Sequence, residues 1–370
     1  MHLLKRLFMP NMLTFELYTP NDDPRPVYLA GSFNAWKAKD DRFKMQKVRD
    51  GLYRFKLDKV QGGGQIEYKY VKGGWESEEL DADGFPPVNR KLLVSRGVVS
   101  DIVPRWKKHT GQYDPKFYPE IQIIAKKFRM PQLRRRRRIS VLLPWNYQSE
   151  PNKRFPVLYL QDGQNLFEEP APFGTWGVDR QLAALAQSGK GELIVVAIDH
   201  GGKERVKEFL PYDNYKWGEG LGREYAHFLA ETLKPYIDKQ FRTLSGREHT
   251  AIGGSSMGGL ISLYAGILYP QVFSRFMIFS PSLWIAPKIF SENLRFAQYH
   301  ETRFYLYGGG QEGSGMIPNL QMLRDAIARQ NADCDDRVRV TLQNDPQGRH
   351  NESRWGIEFP KAVEWLFFDN

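Results

Sequence analysis

Ser256 is the residue whose setting most suggests chemistry; it lies in Gly254-Ser255-Ser256-Met257-Gly258. A G-x-S-x-G run puts a serine hydroxyl on a tight turn, with glycines where the backbone must pass close to its neighbours. The chemistry would be nucleophilic attack on an acyl carbon. Such a hydroxyl needs a base to take its proton, and the base needs an acid to orient it. On a turn of this kind the acid and then the histidine follow the serine in the chain. Two histidines follow Ser256, namely His300 and His350. His350 lies in the polar loop NDPQGRHNES after the last expected strand, while His300 precedes a strand. Sites in open α/β sheets form at strand C-terminal ends, so His350 is the expected base. Glu312, in the loop GGQEGSG, is the expected acid and Asp345 its competitor. Asp325 falls in a helix, and Asp333, Asp335 and Asp336 precede a strand. The oxyanion would be held by the amides of Met257 and of Gln164, in Asp162-Gly163-Gln164-Asn165, where Asp162 is expected to fix the loop. No His/Asp/Glu cluster has metal-ligand spacing, and serine chemistry needs no metal or other cofactor.

These residues need a scaffold, and from about residue 121 the sequence provides one. FPVLYLQ (155–161) and ELIVVAI (192–198) are nearly continuous apolar runs, as in strands buried on both faces. TAIGG, RFMIFS, TRFYLYG and VRVTLQ are further strands, and EIQIIAKKF and RRISVLLP resemble adjacent ones. DRQLAALAQSG, a long amphipathic stretch at 224–241, GGLISLYAGILYP and PKAVEWLFF read as helices. Alternating strands and helices imply a mostly parallel sheet flanked by helices. Residues 1–105 differ: PVYLAGSF, LYRFKL and IEYKYV are short β runs separated by turn signals, which suggests a small all-β, immunoglobulin-like sandwich. Residues 106–120 read as a proline-bearing linker, and 121–370 as the α/β domain.

The 370 residues carry a net charge of +10. Eight basic residues and no acidic ones lie between Lys126 and Arg138, so most of the excess is local. Without aromatic interleaving or a recognition motif, nucleic acid is not an expected partner; the run reads as a polar hairpin guarding a sheet edge. The one cysteine, Cys334, excludes an intrachain disulfide. No stretch is long and apolar enough to span a membrane, and no cleavable leader is visible, so the expectation is cytoplasmic with no membrane partner.

FPVLYLQDGQNLF, FLAETLKPYIDKQFRT and AIGGSSMGGLISLYAGILYPQVFSRFMIFSPSLW resemble the esterase family of α/β-hydrolases. That family includes enterochelin, feruloyl and acetylxylan esterases. The likeness covers roughly residues 120–368. It implies Ser256 as nucleophile, Glu312 as acid and His350 as base, with Arg205 and Trp284 lining the cleft. VYLAGSFNAW, DGLYRF and IEYKYVKGGWESEE resemble glycogen- and starch-binding modules, which implies sugar contacts by Trp36, Trp75, Lys69 and Asn89. Together the resemblances imply a serine carboxylesterase acting on an acylated saccharide (acetyl or feruloyl), with glucan or xylan as a further partner. The alternatives are a trilactone siderophore esterase, or a glucan-binding protein with an inactive hydrolase domain.

Overall fold

Period-two alternation explains how the central sheet is buried. In the strand Ile194–Ile198 every residue is buried. Ile194, Val196 and Ile198 join the core on one face, and Val195 and Ala197 the core on the other. A strand with apolar side chains on both faces belongs inside a sheet covered by helices on both sides. The computed structural model describes residues 12–19, 25–58, 64–81, 86–93, 97–107, 115–167, 174–296, 301–332 and 337–369. His300 and the aspartates at 333, 335 and 336 lie outside these. The chain divides into two units, residues 1–112 and 113–370.

Among its described residues, the second unit holds eight strands: β1 (Glu120–Met130), β2 (Arg135–Leu143), β3 (Val157–Gln161), β4 (Ile194–Ile198), β5 (Thr250–Ser255), β6 (Arg275–Phe279), β7 (Thr302–Gly309) and β8 (Val338–Asp345). Their spatial order is β1-β2-β4-β3-β5-β6-β7-β8. β2 is antiparallel to both neighbours, and every pairing from β4 to β8 is parallel. The helices are α1 (Val178–Gln187), α2 (Arg205–Phe209), α3 (Gly222–His227), α4 (Lys234–Gln240), α5 (Met257–Leu268), α6 (Met316–Gln330) and α7 (Glu352–Phe367). α3, α4, α5 and α6 contribute to the core on one face; α1 and α7 contribute to the other. This is an α/β-hydrolase-like architecture.

Two helices differ from the expected ones. The stretch at 224–241 is not one α-helix: α3 and α4 are joined by a π-helical segment, Phe228–Leu233, and the Lys234 amide donates to Leu229 O. Pro235 has no N–H and its ring crowds the carbonyl four residues back, so α-helical bonding is interrupted there. α7 begins at Glu352, well before PKAVEWLFF, because Asn351 caps it: Asn351 Oδ1 accepts from the Arg354 amide at 3.0 Å.

Among its described residues, the first unit is all-β apart from short 3-10 turns. Its four-stranded sheet has the order Gln46–Arg49, Leu52–Asp58, Met12–Tyr18 and Gly97–Ile102; a three-stranded sheet has the order Val27–Gly31, Gln65–Lys72 and Arg90–Leu93. Leu13, Phe15 and Leu17 alternate into its core beside Leu29, Tyr70 and Trp106.

Candidate active site

Ser256 sits between β5 and α5 with φ 56° and ψ −124°. A non-glycine residue at positive φ is strained, and such strain persists only where its surroundings hold it. Here the Ser256 amide donates to Phe279 O at 3.0 Å, and its carbonyl accepts from the amides of Leu260 and Ser282, each at 3.1 Å. The glycines leave room for the turn. A Cβ on Gly254 would lie 2.9 Å from the Gly258 carbonyl carbon, and one on Gly258 would lie 2.9 Å from Asp162 Oδ2. The second distance also shows that the Asp162 loop packs directly against the start of α5. The Ser256 hydroxyl therefore stands at the N-terminus of a helix whose first amide belongs to Met257, where developing negative charge is favoured.

The expected acid and base, Glu312 and His350, follow the ends of β7 and β8. Glu312 Oε2 lies 2.7 Å from His350 Nδ1. The Glu312 side chain is fully buried, whereas His350 is 37% exposed, so the pair presents an imidazole to the surface over a shielded carboxylate. Oε1 of Glu312 accepts from Ser280 Oγ and from the Gly309 amide, both at 2.7 Å. Ser280 Oγ accepts in turn from Trp355 Nε1 at 2.9 Å, and the His350 ring meets the Trp355 ring edge to face at 4.9 Å. Asp345 is engaged elsewhere, in an ion pair with Arg354.

The segment Ser280-Pro281-Ser282 links the two halves. Ser280 holds Glu312, and Ser282 Oγ lies 3.2 Å from Ser256 Oγ. Among the described residues, this is the hydrogen bond that the Ser256 hydroxyl makes; it is not bonded to an imidazole.

Gln164 lies in the 3-10 turn Gly163–Asn165 after β3. Asp162 precedes it with φ 58°, and both its oxygens accept from Arg205, at 2.7 and 2.9 Å. The Arg205 guanidinium is thus a clamp on the loop. Burial works against its charge, but the Asp162 hydrogen bonds and charge outweigh this and hold its pKa above the usual arginine value. The Gln164 side chain accepts from the His200 amide at 3.0 Å, and Asn165 Nδ2 donates to Glu352 Oε1 at 3.3 Å. Trp284 is 56% exposed, in a 3-10 turn after β6.

In the first unit, Trp36 and Trp75 lie 6.2 Å apart, and Trp75 Nε1 donates to Trp36 O. Trp75 is 37% exposed. Lys69 is paired with Glu78, and Asn89 donates to Glu67.

Sequence reasoning did not single out Ser280, Ser282, Glu352 or Trp355. The two serines had a signal, since small polar residues directly after a parallel strand's C-terminal end sit at the site edge. Glu352 had none beyond its nearness to His350. Its carboxyl is pushed above the usual range, first by burial and further by the Asp162 charge; its own backbone hydrogen bond, His350 and Arg205 pull the other way.

Residues 131–366 match the protein family described as Putative esterase. The chain belongs to this family. It is an esterase. The esterase is 33% identical over 153 residues to the iron(III) enterobactin esterase of Dickeya dadantii, covering 41% of this chain and 32% of that protein. It is 35% identical over 99 residues to an alpha-amylase of Niallia circulans, covering 26% of this chain and 8% of that protein. Its fold resembles that of the enterobactin esterase FES from Shigella flexneri, with a TM-score of 0.53 and 14% identity over 96% of this chain and 92% of that one.

Proposed function

We propose that the protein is a serine carboxylesterase with Ser256 as nucleophile, His350 as general base and Glu312 as orienting acid. The observation that carries this is the 2.7 Å hydrogen bond between the exposed His350 imidazole and the buried Glu312 carboxylate, at the same sheet edge as the strained Ser256 turn. In this reading, His350 Nε2 takes the Ser256 proton as Oγ attacks the ester carbonyl. The amides of Met257 and Gln164 donate to the resulting oxyanion. Collapse expels the alcohol, which takes the proton from His350, and leaves an acyl-enzyme. His350 then deprotonates water, and attack on the acyl carbon releases the acid and restores Ser256. Ser256→Ala is expected to lower hydrolysis of p-nitrophenyl acetate by about 10⁴-fold or more. Equal rates for wild type and variant would refute the assignment.

The favoured substrate is an acylated saccharide, acetyl or feruloyl. The likeness of 99 residues of the chain to an alpha-amylase supports a glucan-binding role, and the Trp36–Trp75 pair is the feature of residues 1–112 suited to it. The second reading, a trilactone siderophore, is favoured by the relative named as an enterobactin esterase. A panel of acetyl, butyryl, feruloyl and catecholate-lactone esters separates the two, with Ser256→Ala as control. A preference for the lactone by kcat/KM would displace the saccharide reading.

A further inference from the structure

The hairpin formed by β1 and β2 carries a second concentration of chemistry, and its arginines sort by partner. Arg137 is buried and donates to both oxygens of Glu208, each at 2.7 Å. Arg135 bridges Glu204 and Glu208, and Arg138 pairs with Asp199. These three are neutralised. Arg129, Arg134 and Arg136 are exposed, and among the described residues none has a carboxylate partner.

The register brings the unpaired set together. Arg129 and Arg136 are direct cross-strand partners. Facing residues of an antiparallel pair share a face, with Cβ atoms about 5 Å apart, and like charges so placed repel. Arg134 occupies the corner between the strands at φ 52°. A concavity of about 410 Å³ is lined by Arg129, Met130, Pro131, Arg134, Arg135 and Arg136, with no acidic residue among them. That volume suits a small molecule. Guanidinium groups offer planar, paired donors that match oxyanions, and an anion between them would turn mutual repulsion into attraction.

We propose that this concavity binds a small, multiply charged oxyanion of the phosphate or sulfate kind, held by Arg129, Arg134 and Arg136. The anion could arrive free or as a phosphoryl group on a larger solute. Both share one recognition chemistry.

The test is isothermal titration calorimetry of the full chain with inorganic phosphate, at ionic strength fixed with sodium chloride. One saturable site per chain is expected. The triple variant R129Q/R134Q/R136Q should lose at least about tenfold in affinity, the equivalent of one good charge-assisted contact. R136Q alone should show a smaller loss, and it decides the matter if the triple variant does not fold. Ser256→Ala should bind phosphate like wild type, so a failure here is distinct from a failure of the esterase assignment. Glucose 6-phosphate binding more tightly than phosphate, and losing that affinity in R136Q, would identify the anion as part of a larger solute; weaker binding would identify the free ion. Unchanged phosphate affinity in the variants would overturn the proposal. So would a signal that vanishes at fixed ionic strength, or one seen only with a single-stranded oligonucleotide.

Discussion

At the scale of single residues, Glu312 and Asp345 were both open as the acid from sequence, because each follows a strand at the right sheet edge. What separates them lies outside local sequence. Glu312 is buried under Ser280 and the Gly309 amide, while Asp345 is drawn to Arg354. Glu312→Gln should therefore lower kcat by about 10³- to 10⁴-fold by disturbing the imidazole tautomer, and Asp345→Asn should lower it far less. Steady-state rates on p-nitrophenyl acetate check this, and the reverse order would move the acid to Asp345. Glu352 makes a second prediction. Its folded-state pKa is raised above its ordinary value of 4.5, chiefly by burial. Between those two values the native state holds a proton that the unfolded chain has released. The group therefore costs stability progressively as pH rises from 4.5 through the raised value, and the cost is complete above it. Glu352→Gln keeps an oxygen for Asn165 and removes the charge. Its Tm should match wild type near pH 4 and exceed it near pH 8. A Tm difference that does not change with pH would show that the Glu352 charge carries no such cost.

At the scale of elements, the strands were legible and the joints were not. β3 and β4 announced themselves as apolar runs because burial on both faces demands it. The π-helical joint at Phe228–Leu233 was hidden, since its residues keep an amphipathic pattern and the interruption comes from one missing N–H at Pro235. The early start of α7 was also missed, because Asn351 reads equally well as a loop residue or a cap. Ser280 and Ser282 shape the site through contacts that span the chain, Ser280 to Glu312 and Trp355, Ser282 to Ser256, and no local pattern encodes those. The Ser256 turn was legible because glycine is the only residue that fits. Gly254 shows the reason: an added Cβ would press on the backbone of α5 at Gly258 and on the Gln161 side chain. Gly254→Ala should destabilise the protein by about 1–3 kcal/mol in urea, as overpacked sites do. It should also reduce kcat, because relief of the clash displaces the turn that aims Ser256. Unchanged stability with unchanged kcat would show that the turn has slack.

At the scale of the whole molecule, each unit has buried cores of its own. The two cores that sandwich the eight-stranded sheet draw on residues from 130 onward, and the core of the first unit draws on residues 13–106. All the residues placed at the candidate active site, from Asp162 to Trp355, belong to the second unit. The net charge of +10 divides in the same spirit, with much of it confined to one hairpin where half of the arginines are matched by acids of α2 and its approach. Among the described residues, the buried members of each core come from one unit, so the chain can be cut between the units. Residues 113–370 should thus unfold in one cooperative transition and hydrolyse p-nitrophenyl acetate within about a factor of three of the full chain, a barrier difference of well under 1 kcal/mol. Retention on glycogen, if the glucan reading holds, should be lost with residues 1–112 and weakened by Trp75→Ala in the full chain. Ester hydrolysis that collapses in the folded fragment would mean that the first unit contributes to the reaction. Glycogen retention that survives removal of residues 1–112 would shift sugar recognition to the esterase unit.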